Sequence, residues 1–348
     1  MKQGLFILSG VLLAMSFSWS ALTVRAAEPP APLPNQGRIS FQIATGSTAG
    51  TFFPVGEAIA GLISHPRGVD RCETSFNVCG PAGLIVSTRT SEGAVDNLIA
   101  VNNGEVESGL AQSDVVAAAV KGQGLFKKLG PQNHVRVIAS LFSEQVHLVA
   151  AASSKIKSVS DLKGKRVSLG SDGSGVGITA REILTAYRLS EASLKASHED
   201  IFNAVQLMKD GKLDAFFAVG GVPLDPVSEL TSSGKARLIP IDGAGRDRLL
   251  KAVPSLSAAA ISAKAYGNNA DIQTVSARAL WVVRDSVADA LIYDITRALF
   301  NPKNYDPLAA SHPSAREISL DSAALSPPAP LHPGAARFYS DATRNAKR

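Results

Sequence analysis

Apolar positions along this chain alternate between two spacings. Short β-rich runs are each followed by a polar, glycine-containing loop, and then by a stretch whose apolar residues recur every three to four positions. The first run is Ile39–Ala44. The loop TGSTAGTFFP (residues 45–54) follows it, and Val55, Ala58, Ile59, Leu62 and Ile63 then fall on one helical face. Pro54 suits the first turn of that helix, where its missing N–H leaves no hydrogen bond unmade. The spacing next predicts a strand over residues 83–87, a helix over 94–101 and a strand over 108–111. After Gln112-Ser113-Asp114 it predicts a helix over 115–120.

A second unit of the same kind begins near residue 146. Residues 165–169 read as a strand, SDGSGVG (residues 171–177) as a glycine-rich loop, and Ala180, Ile183, Leu184 and Tyr187 as one face of the next helix. LDAFFAV (residues 213–219) is a buried strand ending at Gly220-Gly221-Val222-Pro223. Residues 261–265 and 276–283 carry further strand signals, and 287–300 is an amphipathic helix. Strands alternating with helices imply an α/β fold with a mostly parallel sheet. In such sheets ligands sit where strands end and loops lead into helices. A helix N-terminus there offers unpaired N–H groups and a partial positive charge to an anion. Both halves open alike, as strand, hydroxyl-rich loop and helix. Two such loops facing one cleft would clamp an anion from both sides, whereas either alone is more simply a tight turn.

The N-terminus changes the picture of where the chain works. Met1-Lys2-Gln3 precedes a run from Gly4 to Val24 with no charged residue, and Val24-Arg25-Ala26-Ala27 supplies small residues at its end. This is the layout of a secretory signal peptide over residues 1–26; a retained membrane anchor is the competing reading. Residues 27–37 (AEPPAPLPNQG) are proline-rich and aperiodic, a flexible leader. Removing residues 1–26 takes away Lys2 and Arg25 and no acid, lowering the formal charge from +5 to +3. No run of five basic residues occurs, so nucleic acid is not an expected partner. The roughly 320 remaining residues suffice for two cored domains. The only cysteines, Cys72 and Cys79, lie close together in an exported chain and read as one local disulfide. A metal pair competes with that reading, but no histidine stands at ligand spacing.

Signatures of catalysis are missing. GxSxG, HExxH, GxxxxGK[ST] and CxxC do not occur, and SDGSGVG does not fit GxGxxG. A secreted hydrolase, whose triad would assemble from distant positions, thus has no positive support. No cofactor and no metal is implied.

Longer stretches carry a family likeness. TGSTAGTFFPVGEAIAGLI (residues 45–63), SEGAVDNLIAVNNGEVESGLAQSDV (91–115), SLFSEQVHLVA (140–150) and IKSVSDLKGKRVSLGSDGSGVGITAREIL (156–184) resemble the TAXI family, the extracytoplasmic receptors of TRAP transporters. MKDGKLDAFFAVGGVP (208–223), AASHPSAREISL (309–320) and PLHPGAARFY (330–339) continue the likeness in order. It implies a type II periplasmic-binding-protein fold, two α/β lobes joined by crossing strands with a ligand cleft between them. Lobe 1 would combine residues 38–145 with a return strand and C-terminal helices over 263–348, and lobe 2 would span 146–262.

The resemblance further implies a periplasmic, monomeric, non-enzymatic receptor. It would pass a small organic anion, a dicarboxylate or acidic amino acid such as glutamate or 2-oxoglutarate, to TRAP permease subunits. A receptor of the same fold serving an ABC transporter or a sensor kinase is the alternative. Thr48, Thr51 and Phe52 match the family's first-loop contacts, Gln112 and Ser113 its QSD turn, and Ser174 and Gly175 its second-lobe loop. Gly220 and Gly221 match the loop after the DAFF strand. Ser91 and Val176 complete the candidate set, with Arg89, which is placed either to pair a ligand carboxylate or to sit solvated at the surface. The chain departs from the family at Phe52 and Phe53, where tyrosines are common, at Val176 for threonine, and at Ser143 for proline.

If residues 1–26 are a cleaved leader, protein recovered from the periplasm begins near Glu28. Intact-mass measurement checks this, and a mass that still includes Met1–Ala26 would identify a retained anchor.

Overall fold

A computed structural model describes residues 37–75 and 78–346. The expected signal segment and most of the leader lie outside the described residues. Ten strands form one sheet: β1 (Ile39–Ala44), β2 (Leu84–Arg89), β3 (Ser108–Gln112), β4 (Val135–Ala151), β5 (Arg166–Ser168), β6 (Lys195–Ser197), β7 (Ala215–Gly220), β8 (Ala236–Ile239), β9 (Ser257–Ile261) and β10 (Ile272–Arg284). Their order is β2-β1-β3-β10-β4-β7-β5-β6, with β8 paired to β4 and β9 to β10.

Helices of eight residues or more are α1 (Phe52–Ile63), α2 (Ala94–Asn103), α3 (Ser113–Val120), α4 (Val176–Ala186), α5 (Ile201–Lys209), α6 (Asp225–Ser232), α7 (Gly243–Ala252), α8 (Asp289–Leu299) and α9 (Pro333–Ala346). The apolar face expected of α1 is buried at Val55, Ile59, Leu62 and Ile63. Among the described residues no helix is long and apolar enough to cross a membrane.

The sheet is mixed, not mostly parallel as the alternation of elements suggested. β1 pairs parallel with β2 and β3, and β5 parallel with β6 and β7. Every pairing of β4 and β10 with another of these strands is antiparallel. These two are the longest strands, 17 and 13 residues, and they run side by side. Each therefore serves both ends of the sheet. Val137, Ile138, Leu141 and Phe142 of β4 pack in one core with β1, β3, α1, α2 and the C-terminal helices. Farther along, Val146, Leu148 and Ala150 belong to a second core, and Val149 to a third on the opposite face. β7 divides the same way, Ala215 and Phe217 on one face and Phe216 and Ala218 on the other, as the two-residue strand period requires. β10 passes from the second core at Val275 and Ala277 to the first at Ala279–Val283.

Strands β4, β6, β8 and β9 lie outside those the spacing predicts. β4 escapes because Ser143, Glu144 and Gln145 interrupt its apolar run where it passes between cores. Residues 261–265, expected as a strand, instead end β9 at Ile261 and begin a helical turn at Ala263. Ser262 caps that turn by accepting the Lys264 N–H at 3.4 Å, and a serine before helix-forming residues is a stop for strand and a start for helix.

Cys72 and Cys79 are disulfide-bonded. The bridge closes the segment between α1 and β2, where Gly80 N–H donates to Ile63 O at 2.7 Å and Asn304 Nδ2 to Val78 O at 2.6 Å. Replacing both cysteines by serine frees this eight-residue loop in the unfolded chain and should lower stability by roughly 2–2.5 kcal/mol. Urea unfolding under non-reducing conditions reads the change as a lower midpoint with an unaltered slope.

Candidate functional site

A cavity of about 360 Å³ opens where the first core faces the other two. Four peptide loops reach it: residues 46–52 leading into α1, 90–94 leading into α2, 170–176 leading into α4, and 199–201 leading into α5. Gln112 at the end of β3, Glu144 in the middle of β4, and Phe217–Val219 of β7 form its floor. Of the sequence-predicted residues, Thr48, Thr51, Phe52, Ser91, Gln112, Ser174, Gly175 and Val176 line it together.

The remaining four do not. Arg89 is exposed at the end of β2 and does not line the cavity. The Ser113 hydroxyl is buried and committed, donating to Ser255 O and accepting the Arg278 N–H, both at 3.0 Å. Gly220 and Gly221 back the site: Gly221 N–H donates to Thr51 Oγ1 at 2.9 Å, and a Cβ on Gly220 would come within 3.2 Å of the same oxygen.

Helices α1 and α4 both end at the cavity without a side-chain N-cap. Their first-turn N–H groups are the donors an anion would take. The third helix end is already occupied. Gly173 O accepts from both Val95 N and Asp96 N at 3.1 Å, so the α4 loop plugs the start of α2. The fit is tight: a Cβ on Gly173 would lie 2.5 Å from Asp96 Oδ1, and one on Gly93, at φ +130°, would lie 3.3 Å from the Ser174 Cα. Thr179 Oγ1 on α4 donates to Asp114 Oδ2 on α3 at 2.6 Å, and with the Thr51–Gly221 bond this closes the seam beneath the cavity. The hydroxyls are thus partly spent. Ser174 Oγ–H donates to Ser171 O at 2.7 Å, whereas the Thr51 hydroxyl accepts from Gly221 and keeps its proton to give.

The charge of the lining differs from the expectation of an anion clamp built with arginine. Among the described residues the lining includes Glu92, Glu144, Glu199 and Asp200, and no lysine, arginine or histidine. Asp200 caps α5 by accepting the Asn203 N–H at 2.9 Å. Glu144 is buried, and its Oε2 has no partner. Burial, and then the neighbouring Asp114 charge, push its carboxyl well above the ordinary range. Sequence reading missed Glu144; its signal was an acid inside an otherwise apolar strand run.

Supporting groups fix the walls. His147 Nδ1–H donates to Gln145 O and Tyr266 O–H to His147 Nε2, both at 2.9 Å, and Leu224 N–H reaches the Tyr266 oxygen at 2.7 Å. This chain ties Leu224, at the cavity, to β4, and burial lowers the His147 pKa to about 4. Arg278 spreads its guanidinium over Ser140 Oγ, Ser143 Oγ, Leu141 O and Glu317. Glu317 also accepts the Ser143 N–H at 2.9 Å, a bond the proline common at that position could not make. Among the described residues no group of three or more histidine, cysteine, aspartate or glutamate side chains could hold a metal ion.

The sequence matches the NMT1-like family over residues 43–342, which takes in nearly all of the described chain. The protein belongs to the NMT1-like family. Among solved structures it is similar to the periplasmic aliphatic sulphonate-binding protein SsuA of Escherichia coli, at 14% identity and TM-score 0.42, covering 88% of this chain and 84% of that one. It is also similar to the alkanesulfonate-binding protein SsuA of Xanthomonas axonopodis pv. citri bound to MOPS, at 15% identity, TM-score 0.46 and coverage of 92% and 93%. A Bordetella bronchiseptica protein shares 16% identity at TM-score 0.48, over 87% of this chain and 98% of that one. The family membership and the cleft geometry are what bear on this NMT1-like protein's function.

A carboxyl whose pKa is raised by folding keeps its proton longer in the folded chain than in the unfolded one. Its cost to the fold is absent below the ordinary carboxylate range and grows as pH rises through the raised value. Glu144→Gln removes that cost. The ligand-free variant is expected to match the parent in urea at pH 4 and to exceed it at pH 8 by about 1–3 kcal/mol, the cost of an unpartnered buried polar group.

Proposed function

We propose that this protein is an extracytoplasmic solute receptor that captures a small organic acid between two lobes and delivers it to a membrane transporter. Lobe 1 comprises residues 38–145 and 263–348, and lobe 2 residues 146–262. One observation carries the reading: the cavity lies between packed cores that the paired strands β4 and β10 run through, and an uncapped helix start opens on it from each side.

The ligand's carboxylate sits at the starts of α1 and α4. There the N–H groups of residues 51–53 and 175–177, with the Thr51 hydroxyl, supply the charge complement that basic side chains do not. Each hydrogen bond to a charged group contributes about 1.5–3 kcal/mol, against about 0.3–1 for a helix dipole end, so directed N–H groups outweigh the dipoles. The motif resemblance supports a TRAP permease of the TAXI type as the transporter, and a periplasmic, monomeric receptor. Uptake by vesicles carrying such a permease, dependent on added receptor, separates this partner from an ABC transporter or a sensor kinase.

A ligand that bridges the lobes binds the closed form better and shifts the population toward it. Solution scattering should show a smaller radius of gyration when a binding organic acid is added. Gly173→Ala drives a methyl group into Asp96 and Glu92 across the seam. Its expected result is a radius that stays near the ligand-free value and an affinity lowered roughly tenfold or more. An unchanged radius in the parent at saturating ligand would argue for a site confined to one lobe.

A further inference from the structure

Two buried acceptor oxygens at the floor of the cleft have no donor. Glu144 is 2% exposed and Gln112 is 4% exposed; both line the cavity, and Glu144 Oε2 and Gln112 Oε1 have no hydrogen-bond partner among the described residues. Their placement is set by the sheet. Gln112 pairs with Ala279 and Glu144 with Ala277, so they flank β10 at positions two residues apart, on one face of the strand. Gln112 Oε1 lies against the start of α4, where a Cβ on Gly175 would come within 2.1 Å of it.

Behind them Asp114, 4% exposed, keeps Oδ1 unpartnered while Oδ2 takes the Thr179 hydroxyl. The guanidinium of Arg278, the nearest cation along β10, gives its donors to Ser140, Ser143, Leu141 and Glu317 instead. A buried carboxylate without a counter-charge is costly, and a partner that is both cationic and a hydrogen-bond donor removes the cost.

We propose that Glu144 and Gln112 form a subsite for a protonated amine of the captured solute, which is therefore an α-amino acid held by its carboxylate at the helix starts and by its ammonium at β4. This rests on the receptor reading above and deepens it. An ammonium offers three donors and no acceptor, which suits an arrangement of unpartnered oxygens. Glu92 and Glu199 at the same cavity add to its negative potential, so a second carboxylate placed near Glu144 would meet repulsion.

Calorimetry on the full-length mature protein tests the proposal with matched pairs. The twenty standard L-amino acids are screened first, then each binder is compared with the same molecule lacking its α-amino group, as L-glutamate with glutarate or L-leucine with 4-methylpentanoate. The amine-bearing member should bind roughly thirtyfold or more tightly, the loss expected when one partner of a buried charge pair is removed. Glu144→Gln should shrink that gap at least tenfold, with its urea midpoint confirming that the variant is folded. Equal affinity within each pair, or an unchanged gap in Glu144→Gln, overturns the ammonium subsite and leaves the organic-acid receptor standing. Binding of deaminated acids alone does the same. Tight binding of the amine methyl esters would keep the subsite and overturn the carboxylate's place at the helix starts, and no binding by any compound in the panel overturns both.

Discussion

The antiparallel pairing of β4 with β10 is the constraint on which the rest of this molecule depends. Each strand is long enough to leave one hydrophobic core and enter another, so the chain can build two packed bodies without a flexible linker. The crossover is where the apolar pattern must fail, because residues there belong to neither core. Ser143, Glu144 and Gln145 occupy that gap on β4, and Ser276 and Arg278 occupy it on β10. Arg278 and Glu317 hold the crossing by saturating each other and the Ser140–Ser143 segment.

The same crossing explains why the cleft has the chemistry it does. Loops at the ends of β1, β2 and β5 turn inward toward the gap, so helix starts converge there, bringing N–H groups but no basic side chains. The floor comes from the strands and carries acids. A site with peptide donors at its rim and unpartnered carboxyl and amide oxygens at its base is bipolar, and this suits a ligand with a negative and a positive end. Buried like charges such as Asp114 and Glu144 resist being ionised together, which is why burial and their mutual repulsion raise the Glu144 carboxyl.

Closure has its own geometry. Gly173 O fills the start of α2, Thr51 accepts from Gly221, and Thr179 donates to Asp114. Each joins elements packed in different cores. None is large: a neutral hydrogen bond contributes about 0.5–1.5 kcal/mol, and one to a carboxylate such as Asp114 about 1.5–3. A seam built from a few such bonds is consistent with two bodies that part and rejoin, whereas a broad apolar interface would lock them. Glycine at 173 and 93 is the steric condition for the approach.

Much of this was legible in the linear pattern. Most of the predicted strands and helices appear within a few residues of the expected bounds, because two- and 3.6-residue periodicities report directly on which face is buried. The glycine-rich loops before α1 and α4 were likewise visible, since hydroxyl and glycine residues ahead of an amphipathic run mark a helix start, and the cysteine spacing pointed to the bridge. The mixed sheet was not legible: strand direction depends on which strands become neighbours, and local periodicity carries no information about partners. The roles of Ser113, Gly221 and Glu144 were hidden for the same reason. Ser113 and Gly221 are decided by residues 142 to 170 positions away in the chain, brought within hydrogen-bond reach only by the fold, which leaves Glu144 Oε2 without a partner.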